Sequence, residues 1–133
     1  MLGHAADTHA LIWYLEDSPR LGSAARNIFD ACDRQEILIY VPTICLVEML
    51  YLQEKGRIAA DLKALLDAEL RSAGSRLVVA NLTADVVDAM HKIPRDIVPD
   101  MPDRIIAATA LHLDLPLLTR DDRIRLSGVN AVW

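Results

Sequence analysis

The sequence lacks the features that mark membrane-spanning and secreted proteins. Although 53% of its 133 residues are hydrophobic, no stretch reaches the roughly 18 uninterrupted apolar residues that a spanning helix needs. The first residues, MLGHAADTHALIWYLEDS, have no basic segment before an apolar run, and Asp7 and His9 interrupt that run. We therefore expect no signal peptide, and a cytoplasmic protein with one domain over residues 1–133 and no membrane partner.

Cysteine and histidine are also too sparse to build a structural framework. The two cysteines, Cys32 and Cys45, form no Cys-x-x-Cys pair and are too few for a disulfide scaffold. Both lie in apolar segments, which predicts buried free thiols. The four histidines show no ligand spacing, so we do not expect a zinc site.

The chain has no excess of positive charge. Its 14 basic and 19 acidic residues give a net charge of −5, whereas nucleic-acid binding usually leaves a basic surface. If four of the acids formed one metal site, however, they would account for most of the negative excess, and bound cations would neutralise them. The net charge therefore does not exclude a phosphodiester substrate.

Apolar segments with strand and helix patterns alternate along the chain. Strands are predicted at 2–6, 36–42, 76–82, 116–119 and 129–133, and helices at 8–17, 21–35, 44–56, 58–74, 84–94 and 103–114. A loop is predicted at 95–102 and a short turn or helix at 120–128. Alternation with short connections predicts a three-layer α/β/α sandwich around a mostly parallel sheet.

Four acidic residues begin or flank these apolar elements. Asp7 and Asp121 each follow a predicted strand, and the carboxyl ends of parallel strands meet at one edge of the sheet, where ligands bind. Asp103 begins a helix, and Glu48 lies on an otherwise apolar helix, where an unpaired charge is costly to bury. Taken singly, each acid has an ordinary alternative as a helix cap, a first-turn acid or a solvent-facing side chain.

Taken together, the four acids predict a metal site. Clustered carboxylates raise one another's pKa unless cations are present. Oxygen ligands without His or Cys favour Mg²⁺ or Mn²⁺ over zinc. Such a cation beside a phosphate activates a water molecule for hydrolysis.

Five segments resemble motifs of one known family. They are DTHALIW, PTICLVEM, DRIIAATA, LLTRDDRI and the final GVNAVW. In this order and spacing they resemble the PIN-domain family, and most of all its VapC-like ribonuclease toxins from type II toxin–antitoxin pairs. The resemblance runs from about residue 5 to the last residue.

This resemblance implies a PIN-like fold, Mg²⁺-dependent endoribonuclease activity, possible use of Mn²⁺, and inhibition by a cognate antitoxin protein. Its motifs imply that Asp7 and Asp103 hold the metal directly. They imply that Glu48 and Asp121 act through water, as ligands or as the general base. Thr119 matches the hydroxyl residue that orients the site.

Some positions leave alternatives open or depart from the family pattern. Asp122 competes with Asp121, and Asp100 competes with Asp103, although the following RIIAATA favours Asp103. Cys45 stands where the family commonly has a serine before Glu48, which puts one supporting hydrogen bond in doubt.

The substrate and protein partners are less defined by the motifs. Arg104, Arg120 and Arg123 lie beside the acids, and arginine suits phosphate binding, so we predict that they contact the RNA substrate. The same residues would also serve as ordinary solubilising charges. The high apolar fraction favours a homodimer with a surface for the antitoxin.

Other functions remain as alternatives. The main one is a non-catalytic PIN-like module that binds RNA or a protein. A structure-specific DNA nuclease of the flap type would need extra acids and a helical arch, for which 133 residues leave little room. A phosphoacceptor receiver domain would need a second acid beside Asp7 and a late lysine, and neither is present.

Overall fold

A computed structural model provides the structure of the protein, and it describes residues 2–133. Five strands alternate with helices along the chain. The strands are β1 (Gly3–Ala6), β2 (Leu38–Pro42), β3 (Leu77–Ala80), β4 (Leu117–Leu118) and β5 (Ala131–Val132). The helices are α1 (Thr8–Leu15), α2 (Ser23–Asp33), α3 (Thr43–Glu54), α4 (Leu62–Arg71), α5 (Ala84–Ala89), α6 (Met101–Leu113) and α7 (Asp122–Leu126), with a 3₁₀ turn at Met90–Lys92.

The strands form one parallel sheet in the order β3-β2-β1-β4-β5. In β1, Ala5 pairs with Tyr40 of β2 on one side and with Leu117 of β4 on the other. The strand order therefore reverses between β1 and β4, which is where sheets of this kind bind ligands. The predicted three-layer α/β/α sandwich with a parallel sheet is confirmed.

The helix α6 runs through the core and brings its first turn to this sheet edge. Six consecutive residues, Ile105–Ala110, are buried, and a helix that is apolar on every side has to be enclosed by protein. Ala107, Ala108 and Ala110 are fully buried. These small side chains let α6 lie close to β1 and α3, against which it packs.

The structure corrects where α6 begins. This helix was predicted to begin at Asp103, but it begins at Met101. Asp100 is its N-cap, and the Asp100 carboxylate accepts the backbone N–H of Asp103 at 3.0 Å. Pro102 does not stop the helix, because a proline in the first turn loses no hydrogen bond. The helix ends where Asp114 adopts the left-handed conformation with a φ of 53°.

The other elements lie where they were predicted but are mostly shorter. The last strand was predicted at 129–133 but covers only Ala131–Val132, because it pairs with just the two residues of the short strand β4. Cys32 and Cys45 are buried free thiols, as predicted. Within residues 2–133, no helix is both long and apolar enough to cross a membrane.

Candidate active site

Asp7 stands at the junction between β1 and α1. Its carboxylate caps α1 by accepting the backbone N–H of Ala10 at 2.8 Å. Its own backbone N–H donates to the carbonyl oxygen of Leu118 at 3.1 Å, which ties the junction to β4. Burial raises the pKa of the Asp7 carboxyl, and hydrogen bonds from the Thr119 side chain and the Ala10 N–H oppose that rise. Asp7 is thus both a helix cap and a half-buried acid at the sheet edge.

Thr119 connects the residues that follow β1 and β4. Its side chain is fully buried, and its Oγ1 accepts the backbone N–H of Asp121 at 3.1 Å. The same side chain lowers the pKa of the Asp7 carboxyl through hydrogen bonding. Oδ1 of Asp121 in turn caps α7, accepting the backbone N–H of Arg123 at 2.8 Å and of Ile124 at 3.2 Å. The Thr119 hydroxyl therefore lies next to both Asp7 and the backbone of Asp121.

Glu48 reaches the same edge from α3. It is half-buried, and its Oε1 accepts a hydrogen bond from the Thr8 hydroxyl at 2.5 Å. Burial raises the pKa of Glu48, and the Thr8 hydrogen bond lowers it again. The Cys45 thiol, at the position where a serine was expected, donates to the carbonyl oxygen of Ala6 at 3.7 Å. The support for Glu48 comes from Thr8.

The pKa of Asp103 is affected by all of the other acids of the site. Burial is the largest cause that raises its pKa to about 7, and the negative charges of Asp100, Asp121, Glu48 and Asp7 add to the rise. Such mutual effects require the carboxylates to lie close together in a region of reduced solvent. Asp103 is therefore the acid that depends most on the charge state of the whole group. Asp100 contributes charge, but its side chain is used as the cap of α6.

A cavity opens between these acids. Its volume is about 250 Å³, and it is lined by Asp7, His9, Trp13, Asp103, Arg120, Asp121 and Trp133. Three of the four predicted acids line this cavity directly. Glu48 does not, and it is held beside Asp7 through the neighbouring Thr8. Over residues 2–133, no three His, Cys, Asp or Glu side chains are already arranged as a ligand set for a metal ion.

The three predicted RNA-contacting arginines lie in different settings. The guanidinium of Arg104 donates to the carbonyl oxygens of Ile93 at 2.9 Å and Met90 at 3.0 Å, so it braces the segment before α6. Arg120 lines the acid cavity, and its guanidinium lies 4.6 Å from the centre of the Trp13 ring. Arg123 is exposed on α7 and does not line the cavity. Of the three, only Arg120 lines the cavity with the acids.

Four residues were not predicted from the sequence to belong to the site. Thr8 supports Glu48, and His9, Trp13 and Trp133 form the aromatic wall of the cavity. Trp13 is central to this wall, with ring centres 5.3 Å from His9 and 5.6 Å from Trp133. Thr8 and His9 directly follow Asp7, so their nearness to that acid could have indicated them. Trp133 ends the GVNAVW motif, but its position in the sequence does not indicate that its ring lies beside Trp13.

The carboxylates lie where the parallel sheet reverses its strand order, between β1 and β4. The protein is therefore an α/β domain with an acidic site at this switch point of the sheet. The sequence model of the PIN domain matches residues 5–128. The chain belongs to the PIN domain family, which confirms the resemblance found in the motifs.

Named relatives and solved structures agree with this assignment. The chain is 27% identical over 119 residues to Ribonuclease VapC22 of Mycobacterium tuberculosis (strain ATCC 25618 / H37Rv), covering 90% of this chain and 87% of the relative. Its fold is similar to that of VapBC2 from Rickettsia felis bound to a promoter DNA fragment, with a TM-score of 0.73, 14% identity and 98% coverage of both chains.

Two further structures share the fold. FitAcB from Neisseria gonorrhoeae has a TM-score of 0.64 at 18% identity, covering 97% of this chain and 96% of that one. A toxin–antitoxin complex from Klebsiella pneumoniae has a TM-score of 0.62 at 20% identity, covering 98% and 96%. At these identities the structures support the fold.

Proposed function

We propose that this chain is a single-domain, Mg²⁺-dependent endoribonuclease and the toxin of a toxin–antitoxin pair. It hydrolyses RNA phosphodiester bonds at the site of Asp7, Glu48, Asp103 and Asp121. The observation that carries the proposal is the cavity lined by Asp7, Asp103 and Asp121, with Glu48 held beside it by Thr8, where the sheet of a PIN domain reverses its strand order. The similarity to a protein named a ribonuclease supports the same conclusion.

The donor set suits a hard divalent cation. The four groups are oxygen donors, and such donors favour Mg²⁺ or Mn²⁺. Asp7 and Asp103 would hold the cation directly, and Glu48 and Asp121 would hold it through water. The positive charge of the cation would offset the burial and the repulsion among carboxylates that raise the pKa of Asp103. When bound, the cation lowers the pKa of a water molecule and stabilises charge on the phosphate.

The remaining side chains of the site have roles that follow from their contacts. The Thr8 hydroxyl fixes Oε1 of Glu48, which leaves Oε2 to accept the proton of the attacking water. Thr119 holds the Asp7 carboxylate and the backbone of Asp121 in place. Arg120 lies beside the acids and would bind a phosphate oxygen of the substrate.

An exposed apolar surface on α3 supports the proposal that the chain binds a protein partner. Val47, Leu50 and Tyr51 lie on one side of this helix at spacings of three and four residues and are 45%, 40% and 58% exposed. Adjacent exposed apolar side chains commonly mark a protein interface. We propose that this surface contributes to a homodimer or to antitoxin binding. Sedimentation of the wild type and of Tyr51→Glu, with and without the antitoxin, distinguishes the two.

The test of catalysis is cleavage of total cellular RNA by the purified protein with Mg²⁺, with Mn²⁺ and with EDTA. An Asp103→Asn variant is compared with Asp88→Asn, which makes the same change at an exposed position on α5. We expect cleavage by the wild type and Asp88→Asn only with metal. We expect cleavage by Asp103→Asn to be at least about 100-fold slower than cleavage by the wild type. Replacing a residue that only supports a metal ligand already costs up to about 100-fold, so replacing a ligand should cost at least as much.

Absence of cleavage by the wild type with bound metal would contradict the proposal and favour the non-catalytic binding module. Cleavage that persists unchanged in EDTA would contradict the metal dependence. Equal losses in both asparagine variants would indicate an effect on folding, which circular dichroism of the same samples checks.

A further inference from the structure

A second cleft adjoins the acid cavity. Its volume is about 460 Å³, and it shares His9, Trp13 and Arg120 with the acid cavity. Away from these shared residues it is lined by Arg20, which follows α1, and by Arg57, which follows α3. The two cavities are therefore neighbours, and the second one extends from the shared residues to a pair of additional arginines.

The charge of this second cleft is opposite to that of the protein as a whole. Three arginines line it, Arg20, Arg57 and Arg120, and Glu16 is the one acid among its lining residues. All three arginines are exposed, and within residues 2–133 none of them takes part in a salt bridge. In a chain with a net charge of −5, unpaired positive charge collected in one cleft indicates an anionic ligand.

The Trp13 ring contacts two of these arginines beside the acids. The guanidinium of Arg120 lies 4.6 Å from its ring centre and that of Arg20 lies 6.0 Å away, both within the range of a cation–π contact. Exposed His9 and half-buried Trp133 flank the same ring. Positive charge interleaved with aromatic rings is the arrangement that binds a single strand, because unpaired bases stack on the rings.

We propose that Arg20, Arg57 and Arg120 form a track for the phosphates of single-stranded RNA that leads away from the cut bond. The proposal rests on the proposed ribonuclease function and adds the path and the form of its substrate. Arg120 holds the phosphate nearest the acids, and Arg20 and Arg57 hold phosphates further along the strand. Bases next to the cut lie against the His9 and Trp133 rings.

The test is binding of fluorescein-labelled single-stranded RNA of mixed sequence, measured by anisotropy in EDTA over a range of salt concentrations. Because EDTA separates binding from cleavage, this test does not depend on catalysis. The variants are Arg20→Gln/Arg57→Gln, the charge-retaining Arg20→Lys/Arg57→Lys, and Arg71→Gln as the matched control. Arg71 is an exposed arginine at the end of α4 and does not line the cleft.

Each phosphate contact to a single strand contributes about 0.7 to the slope of log affinity against log salt. The double glutamine variant should therefore have a slope shallower by about 1.4, and roughly 25-fold weaker binding at about 0.1 M salt. The double lysine variant should retain most of the wild-type slope, since lysine also neutralises a phosphate. Arg71→Gln should bind like the wild type.

Three results would overturn the track. The first is absence of RNA binding by the wild type, or the same slope in the wild type and the double glutamine variant. The second is equal binding of an RNA duplex with the same response to the variants. The third is that the double glutamine variant loses the binding to polyglutamate that the wild type shows but still binds RNA like the wild type. That result would make the cleft a docking site for an acidic protein segment. A positive result without metal-dependent cleavage would leave the track supported and the nuclease activity contradicted.

Discussion

Replacing Asp103 by asparagine should make the metal-free protein more stable at neutral pH. The pKa of this carboxyl is about 7 in the folded protein, against an ordinary value of 3.8. Between these pH values the folded protein keeps a proton that the unfolded chain has released. Stability is therefore highest below the unfolded pKa, falls as the pH rises through this window, and stays low above it.

The size of the effect follows from the same values. A difference of this magnitude corresponds to roughly 4 kcal/mol for a carboxyl shielded from solvent. Asp103 is half-buried, and screening by water reduces the expectation to roughly 1–2 kcal/mol. Loss of a favourable acid from the first turn of α6 acts in the opposite direction by about 0.3–1 kcal/mol. The net result should still favour the asparagine variant at about pH 8.

Urea unfolding in EDTA between about pH 4 and pH 8 measures this difference. The gap between Asp103→Asn and the wild type should open as the pH rises, while Asp88→Asn should follow the wild type throughout. A constant gap across the pH range would refute the reasoning, because it would show that the protonation of Asp103 is not the cause. Adding Mg²⁺ should reverse the order at pH 8, since a ligand at 100 times its Kd stabilises by about 2.7 kcal/mol.

Three further substitutions test the surroundings of the acids. Thr8→Val removes the hydrogen bond to Glu48 and should shift the acidic limb of the cleavage–pH profile upwards, whereas Thr8→Ser should leave it in place. Gly22→Ala places a Cβ at 2.5 Å from Trp133, so we expect a loss of about 1–3 kcal/mol and altered tryptophan fluorescence; unchanged spectra would contradict this. Asp100→Ala should lower the unfolding free energy by about 1 kcal/mol through loss of the α6 cap, while Asp100→Asn should retain the cap.

The placement of two acids could be predicted because it depends on the order of residues along the chain. Asp7 and Asp121 lie just past β1 and just past the end of β4, and parallel pairing brings the carboxyl ends of those strands to one edge. The start of α6 was predicted two residues too late. A proline ahead of Asp103 looked like the end of a loop, but proline fits equally well inside a first helical turn.

The contacts of the site could not be predicted in this way. Thr8 and Glu48 are 40 positions apart and meet because α1 and α3 pack together. Arg104 lies next to Asp103 in sequence, yet the helical rotation between neighbouring residues directs its guanidinium to the carbonyls of Met90 and Ile93. A side chain's neighbours depend on which faces of its helix are buried, and sequence proximity does not decide that.

The sequence by itself determined the alternation of strands and helices, because apolar periodicity is a local property. The parallel sheet and the edge where the acids gather follow from that alternation, since a helix between two strands favours their parallel pairing. Only the tertiary structure decided that Arg20, Arg57 and Arg120 share one cleft with Trp13 beside those acids. The three arginines come from separate connections between elements on the protein surface. Their nearness depends on how the helices pack on the sheet, and that packing is set by many weak contacts between residues distant in sequence.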